Sequence, residues 1–520
     1  MRTRVLGCGA LVLGLIGVTA CSSDGTDDSA STTAQTATTA APASTAAPAT
    51  TAGDGPADQP TSMEGWEALW AEERAAVVAR IQENGWGVKE DGSQLVGPGG
   101  FTIDLARCPA SWSDTEGMTD TEVKIGYPVA QSGPNAEAGG IGRAHDALFR
   151  HYNEQGVYTD VNDKTRQVRM LLRDDAYDPA RTIPLVDELI DSEKVFAVET
   201  LGTPSTLRTY DKLNERCIPQ PLVASGHPAF GDPVNHPWTT ASSISYSTEA
   251  VIWGVFVEQH LDELGGKAKV ASLRMNNDFG ASYHAALEAY FADSPRKDDI
   301  EYVSESFEPA AATLKDEMTT LAAEDPDVFI GMSTGSTCTQ FVTESALNGM
   351  KESVDYKFMS SACKATGPVT RDVVGEDSDG WWSVGGGLKD ALTEEYDDDP
   401  FIVAAREFID EAGYELTPSY NLGLYYSWAL SQALQIAGQL DGGLTRTNLI
   451  LALRSLEMTH PMLLPGITFN MDGNEDAYLV EGSDVSYWDA EQQTWVQDSI
   501  ADLPGRTPLC AWDQAGSRCG

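Results

Sequence analysis

Glu122-Val-Lys-Ile-Gly-Tyr-Pro-Val129 reads as a strand, and Gly139 to Gln155 behind it reads as an amphipathic helix. The same alternation continues outward from this pair. Gln167–Arg173 is a strand and Pro179–Asp191 a helix. Val195–Glu199 is a strand, followed by a Gly202-Thr203-Pro204 turn, a helix to about Asn214, and a strand from Ile218 to Val223. It then begins again with a helix Glu249–Leu264, a strand Lys269–Arg274 and a helix Gly280–Phe291. Ile300–Val303, a helix near 311–323 and the strand Val328–Gly331 complete the second set. Repeated βα units imply parallel sheets covered by helices on both faces, and two successive sets imply two lobes. In such sheets ligands sit outside the carboxyl ends of the strands, so the loops after each strand become the candidates.

The chain has 520 residues, long enough for more than one domain. Met1-Arg2-Thr3-Arg4 precedes an apolar run from Val5 to Val18 with the charge and length of a secretory signal. Val18-Thr19-Ala20-Cys21 resembles a bacterial lipobox, which implies a signal peptide over 1–20 and lipidation of Cys21. Residues 21–60 are almost entirely Ser, Thr, Ala, Gly, Pro and Asp, a composition that buries too little apolar surface to fold, so a disordered linker is expected. No later stretch reaches the roughly 18 apolar residues of a membrane helix, so the body is expected outside the cytoplasm, held to the membrane by its lipid alone. Removing residues 1–20 takes Arg2 and Arg4 and no acid, moving the net charge from −45 to −47. That sign argues against nucleic acid as a partner.

Six cysteines remain once Cys8 leaves with the signal and Cys21 is lipidated, and an even number in an exported chain reads as disulfides. Cys510 and Cys519 close a short C-terminal loop within the tail 504–520. Cys338 and Cys363 stand at the ends of two neighbouring expected strands, which leaves Cys108 with Cys217. No CxxC pair occurs, and His227 and His236 flank Pro-rich loops, so neither a metal nor any cofactor is expected. Residues 61–120 form an accessory segment whose helix, Gly65–Asn84, places Trp66, Leu69, Trp70, Val77 and Ile81 near one face. The chain ends in β-like stretches: Gly466–Asn470, a turn at Met471–Asn474, Ser486–Asp489 and Thr494–Val496.

Several motifs, in order along the chain, resemble the substrate-binding lipoproteins of branched-chain amino-acid and amide ABC transporters, which have the type I periplasmic binding fold. Val123-Lys-Ile-Gly126 with Gln131-Ser-Gly-Pro134 is similar to that family's first strand and loop. Asp174-Asp175-Ala-Tyr-Asp178-Pro179, Met275-Asn276-Asn277-Asp278-Phe279-Gly280 and Phe469-Asn470-Met471-Asp472-Gly473 resemble later family segments. The resemblance implies two doubly wound parallel-sheet lobes joined by a three-crossover hinge. Lobe one would take 121–241 and 383–462, including a helix Ser419–Leu440. Lobe two would take 242–382 and 463–503. It also implies a small polar ligand of amino-acid or amide type, ABC permease subunits as partners, and a monomer. Ligand contacts carried over are Ser132, Thr203, Ser205, Thr206, Ala224 and Ser225 from lobe one, and Phe279, Glu308, Ser333 and Thr334 from lobe two, with Glu308 available to pair with an amine. The chain departs from the family pattern at Phe279, which lacks a hydroxyl common there, and at Thr203-Pro204, which loses a backbone N–H.

A ligand-sensing module without transport shares all of these features. Gly331-Met-Ser333-Thr-Gly335 also matches a nucleophile elbow after a strand, which would make the chain a secreted serine hydrolase. The only histidine that follows is His460, in a Thr-His-Pro turn, so a binding protein rather than an enzyme is expected. Gly139-Gly140-Ile-Gly142 lacks the last glycine of a dinucleotide fingerprint and reads as a helix start. Asp472, Asn474 and Asp476 begin like a calcium loop, but Ala477 and Ser483 stand where its glycine and glutamate belong.

Overall fold

The computed structural model describes residues 59–505 apart from 368, together with 507, 510–513, 518 and 519. The expected signal peptide, Cys21 and nearly all of the expected linker lie outside the described residues.

The first sheet contains β1 (Glu122–Val129), β2 (Gln167–Asp174) and β3 (Ala197–Val198), all parallel, in the order β2-β1-β3. β4 (Gln220–Val223) and β5 (Thr239–Ala241) pair parallel beside it, joined through a Leu201–Ala224 bridge. β1 forms because Val123, Ile125, Tyr127 and Val129 alternate into the core. The helix Gly139–Gln155 buries Ile141, Ala144, His145, Leu148, Phe149 and Tyr152, a 3.6-residue stripe, and stops at Gly156 with φ +67°.

In the second lobe β6 (Ala268–Met275), β7 (Ile300–Phe307), β8 (Val328–Met332), β9 (Tyr356–Met359) and β10 (Trp381–Val384) run parallel, in the order β7-β6-β8-β9-β10. β11 (Ser483–Asp489) and β12 (Thr494–Ala501) extend that sheet antiparallel. Each lobe has its own core. This is the doubly wound type I periplasmic binding fold that the sequence motifs implied.

The chain passes between the cores three times, at Ser242–Ile244, at Gly385–Lys389 and at Val480–Ser483. Two of these points differ from the expected boundaries. Trp381–Val384 is still a strand of the second sheet, so the return to lobe one begins after 384. The final passage comes at 480–483 rather than 463, because Phe469, Met471, Leu479 and Val480 pack into the first core. Met471 N–H donates to Leu456 O, and Met458 N–H donates to Phe469 O. Those bonds hold the expected Gly466–Asn470 strand on lobe one, where it makes an isolated bridge from Asn470 to Glu457 instead of a ladder.

The accessory helix Met63–Glu83 buries Trp66, Trp70, Val77 and Ile81, whereas Leu69 stays partly exposed. Trp70 packs against Trp428 and edge-on to Phe401, at 5.3 and 6.0 Å between ring centroids. A three-stranded antiparallel sheet follows (Gly87–Val88, Gln94–Val96 and Thr102–Asp104). All three expected disulfides are present, Cys108–Cys217, Cys338–Cys363 and Cys510–Cys519. Cys338 and Cys363 sit on the helices Ser336–Asn348 and Ser361–Thr366 that follow β8 and β9, not on the strands. Among the described residues no helix is long and apolar enough to cross a membrane.

Candidate functional site

The carboxyl ends of both sheets and all three crossovers converge on one cavity of about 110 Å³. A single water needs roughly 10–15 Å³, so the space suits a small organic molecule. Lobe one supplies Asn135 and Ile141 after β1, Tyr177 after β2, Leu201 and Gly202 after β3, and Ala224–Gly226 after β4. The crossovers add Ser242–Ile244, Gly385, Leu388 and Val480. Lobe two supplies Tyr246, Phe279, Thr334, Ser361, Lys364 and Thr366, and the helix Ser419–Gln439 returns Asn421, Leu422, Tyr425 and Tyr426.

Of the residues expected to touch a ligand, Ala224, Ser225, Phe279 and Thr334 line this cavity. Thr203 stands one bond behind it, its hydroxyl 2.8 Å from that of Ser225. Ser205 and Thr206 are buried in the lobe instead. Ser205 Oγ meets Thr182 Oγ1 at 2.8 Å and donates to Asp175, while Thr206 Oγ1 meets Thr200 Oγ1 at 2.9 Å. Ser132 is exposed and donates to Asp174 Oδ2 at 2.6 Å. Glu308 is exposed and accepts from Asn276 Nδ2 at 2.7 Å. Ser333 is fully buried; its hydroxyl is bonded to that of Thr337, and its carbonyl accepts from Ser360 Oγ at 2.7 Å.

The hydroxyl of the same serine is thus engaged with Thr337 rather than with a histidine. His460 lies in the first core, its Nε2 donating to Tyr425 O at 3.0 Å and its Nδ1 accepting from Met462 N–H at 3.1 Å. Burial pushes His460 down to about 3, which keeps the ring neutral. Among the described residues no group of His, Cys, Asp or Glu could hold a metal ion.

Sequence reading missed Tyr246, Tyr425, Tyr426, Asn135 and Lys364. Tyr246 stacks on Tyr283 at 4.2 Å, meets Phe279 edge-on at 5.1 Å, and accepts from Ser225 Oγ across the lobes at 3.4 Å. Beneath it Glu249 is wholly buried. Oε2 accepts from Tyr283 OH at 2.6 Å and Ser361 Oγ at 2.8 Å, while Oε1 accepts from Ser361 N–H at 2.8 Å. Burial dominates these bonds and raises its carboxyl to about 7. Lys364 donates to Asp484 Oδ2 at 2.8 Å. Burial alone would raise Asp484, but the Lys364 ammonium and bonds from Lys364, Ser486 and Gly387 hold it below the usual carboxylate range.

The lobes also meet directly. Gly335 has φ +69°, and a Cβ there would lie 2.4 Å from Asn135 Oδ1 and 2.7 Å from Pro134 O. Asn135 Oδ1 is buried without a hydrogen-bond partner, so it packs on the bare Cα of Gly335. Arg208 of lobe one and Asp278 of lobe two approach to 3.5 Å.

No curated protein matches the chain in sequence. Solved structures share its fold at low identity. A fatty acid ABC transporter substrate-binding protein from Thermomonospora curvata is 16% identical, with 80% of this chain and 98% of that one covered at a TM-score of 0.62. A branched chain amino acid ABC transporter from Thermus thermophilus with bound valine is 16% identical, covering 74% and 96%, with a TM-score of 0.62. A solute binding protein of an ABC transporter from Rhodopseudomonas palustris, in complex with 3,4-dihydroxy benzoic acid, is 18% identical, covering 74% and 98%, with a TM-score of 0.58. The sequence pattern of the periplasmic binding protein family matches residues 122–484. With that match spanning both lobes and the cavity between them, the chain belongs to the periplasmic binding protein family.

Proposed function

We propose that this protein is an extracytoplasmic solute-binding lipoprotein, tethered through Cys21, that captures a small molecule between its lobes and delivers it to an ABC permease. The observation that carries the reading is the cavity itself, walled by strand-end loops of both lobes and by every crossover, so that filling it couples to the angle between lobes. Family membership and the ABC-transporter descriptions of the structural neighbours support it. No Walker motif occurs in the sequence, so the ATP-hydrolysing step falls to another chain. Binding, not catalysis, is the chemistry of the site, since Ser333 and His460 are each committed to other partners.

Native mass spectrometry of the protein purified from its host tests this. The wild type retains one small solute per chain, and Ala224→Trp, whose indole would occupy the cavity, loses it. An identical solute complement in both proteins, or none in either, defeats the reading.

A further inference from the structure

Resting on the solute-binding reading, we propose that the cavity selects an uncharged, largely apolar solute with a hydroxyl or carbonyl group, and rejects the zwitterion the sequence resemblance implied.

The walls are dominated by rings and branched chains, among them Tyr177, Leu201, Ile244, Tyr246, Phe279 and Tyr425. Among the described residues three charged side chains border the space, Lys364, Lys389 and Asp390, and each already has partners. Lys364 is paired with Asp484 at 2.8 Å. Lys389 donates to Asp399 at 2.7 Å and to Gln59 at 2.9 Å. Asp390 Oδ1 accepts from Asn421 Nδ2 at 2.8 Å and from Leu392 N–H at 3.1 Å. Glu249 is shut behind Ser361 and Tyr283 and does not line the cavity.

Consider what a charged ligand meets. An ammonium needs an anionic acceptor, and the one bordering carboxylate among the described residues, Asp390, already holds Asn421 and Leu392 on Oδ1 and is half-buried, so solvent weakens its pull. A carboxylate would find Lys364, but only in competition with the fully buried Asp484, leaving two anions around one ammonium in an apolar space. Burying a charge without a dedicated partner is disfavoured by far more than burying a neutral dipole. The polar groups that remain are uncharged: the amides of Asn135 and Asn421, and hydroxyls such as those of Ser225, Ser243, Tyr246, Thr334 and Tyr426, each hydroxyl able to donate or accept. They suit an alcohol or a carbonyl without demanding charge.

Two matched probe sets, run by isothermal titration on the intact protein, decide the matter. One set shares a phenyl body: benzyl alcohol, benzamide, benzoate, benzylamine and L-phenylalanine. The other shares a branched alkyl body: isoamyl alcohol, isovalerate, isoamylamine and L-leucine. A neutral member of at least one set binds, at least about tenfold more tightly than every charged member of that set. Tighter binding of any charged member, or no binding by any neutral one, overturns the proposal. Asp484→Asn adds a charge test: with Lys364 released, benzoate gains at least about tenfold relative to benzyl alcohol, and an unchanged ratio counts against the argument. Should that variant fail to fold, the wild-type panel decides alone. A charged solute retained from the host refutes this proposal and leaves the solute-binding reading standing, whereas no solute retained and no probe bound removes both.

Discussion

Replacing Gly335 by alanine separates closure of the lobes from stability of the lobe that carries it. The residue has φ +69°, so any side chain pays a backbone cost of roughly 1–2 kcal/mol whether the lobes are together or apart. The steric cost is different, because the new Cβ would stand 2.4 Å from Asn135 Oδ1 and 2.7 Å from Pro134 O, both on the opposite lobe. Ordinary contact begins near 3.4 Å, so the lobes must part by up to about 1 Å at this point. Overpacking of that kind costs roughly 1–3 kcal/mol, which becomes a roughly 5- to 150-fold loss of affinity if it falls only on the closed form. Gly349→Ala is the matched control, since Gly349 lies in the same lobe with φ +91° and nothing within 4 Å of its Cβ position. Equilibrium dialysis with the solute the wild type retains, alongside small-angle scattering, reads both quantities. Gly335→Ala should bind more weakly than Gly349→Ala and stay more open at saturating solute, with similar melting. Equal affinity and equal radius of gyration in the two variants would refute the reasoning.

Glu249 should make the lobe lose stability as pH rises. Its carboxyl is raised from 4.5 to about 7 in the fold, so its contribution is complete below pH 4.5 and lost as pH climbs through 7, on the order of 3 kcal/mol in all. Glu249→Gln should remove that slope from wild type between pH 5 and 8 in denaturant titrations, and parallel curves would contradict it. Replacing Cys338 and Cys363 together by alanine opens a constraint across 25 residues and should cost about 3 kcal/mol in the same assay. A loss well under about 1 kcal/mol would show that the two helices hold the lobe-two loops unaided. Ser333 should resist fluorophosphonate labelling, and Ser333→Ala should keep its solute; a covalent adduct would instead revive the hydrolase.

The regular elements were legible because their buried faces repeat locally. Glu122–Val129 and Gly139–Gln155 occur with the limits that alternation and helical spacing gave. Val195–Glu199 reads as a longer strand than it forms: its ladder shrinks to Ala197–Val198, while Val195 N–H turns away to Leu189 O and Phe196 and Glu199 N–H donate to Lys124 O and Gly126 O of β1. Gly466–Asn470 has strand composition, yet its pairing is decided by Glu457, a residue brought there by tertiary packing. The cavity was half visible for the same reason. Ala224, Ser225, Phe279 and Thr334 follow directly after strands, where the fold rule points. Tyr246, Tyr425 and Lys364 come from the helix that begins just past a crossover, a returning helix and a short helix, whose meeting no local spacing encodes. One signal was available: Ser242-Ser-Ile-Ser-Tyr246 between strand and helix, and Gly385-Gly-Gly387 after a strand, have the composition of chain that must bend between lobes.

The Cys108–Cys217 bridge has a mechanical consequence. A pull on the chain at Gln59 can peel away the Met63–Glu83 helix and the small sheet after it, but the tension stops at Cys108 and enters the body at Cys217. At roughly 3.4 Å per extended residue, the stretch up to Cys108 would pay out on the order of 170 Å of slack before the bridge took the load. Cys217 sits just before β4, on the first lobe, so force applied there is borne by one lobe and does not pry the two apart. The bridge thus acts as a strain relief: however the N-terminal end is tugged, the angle of the cleft is left to the solute.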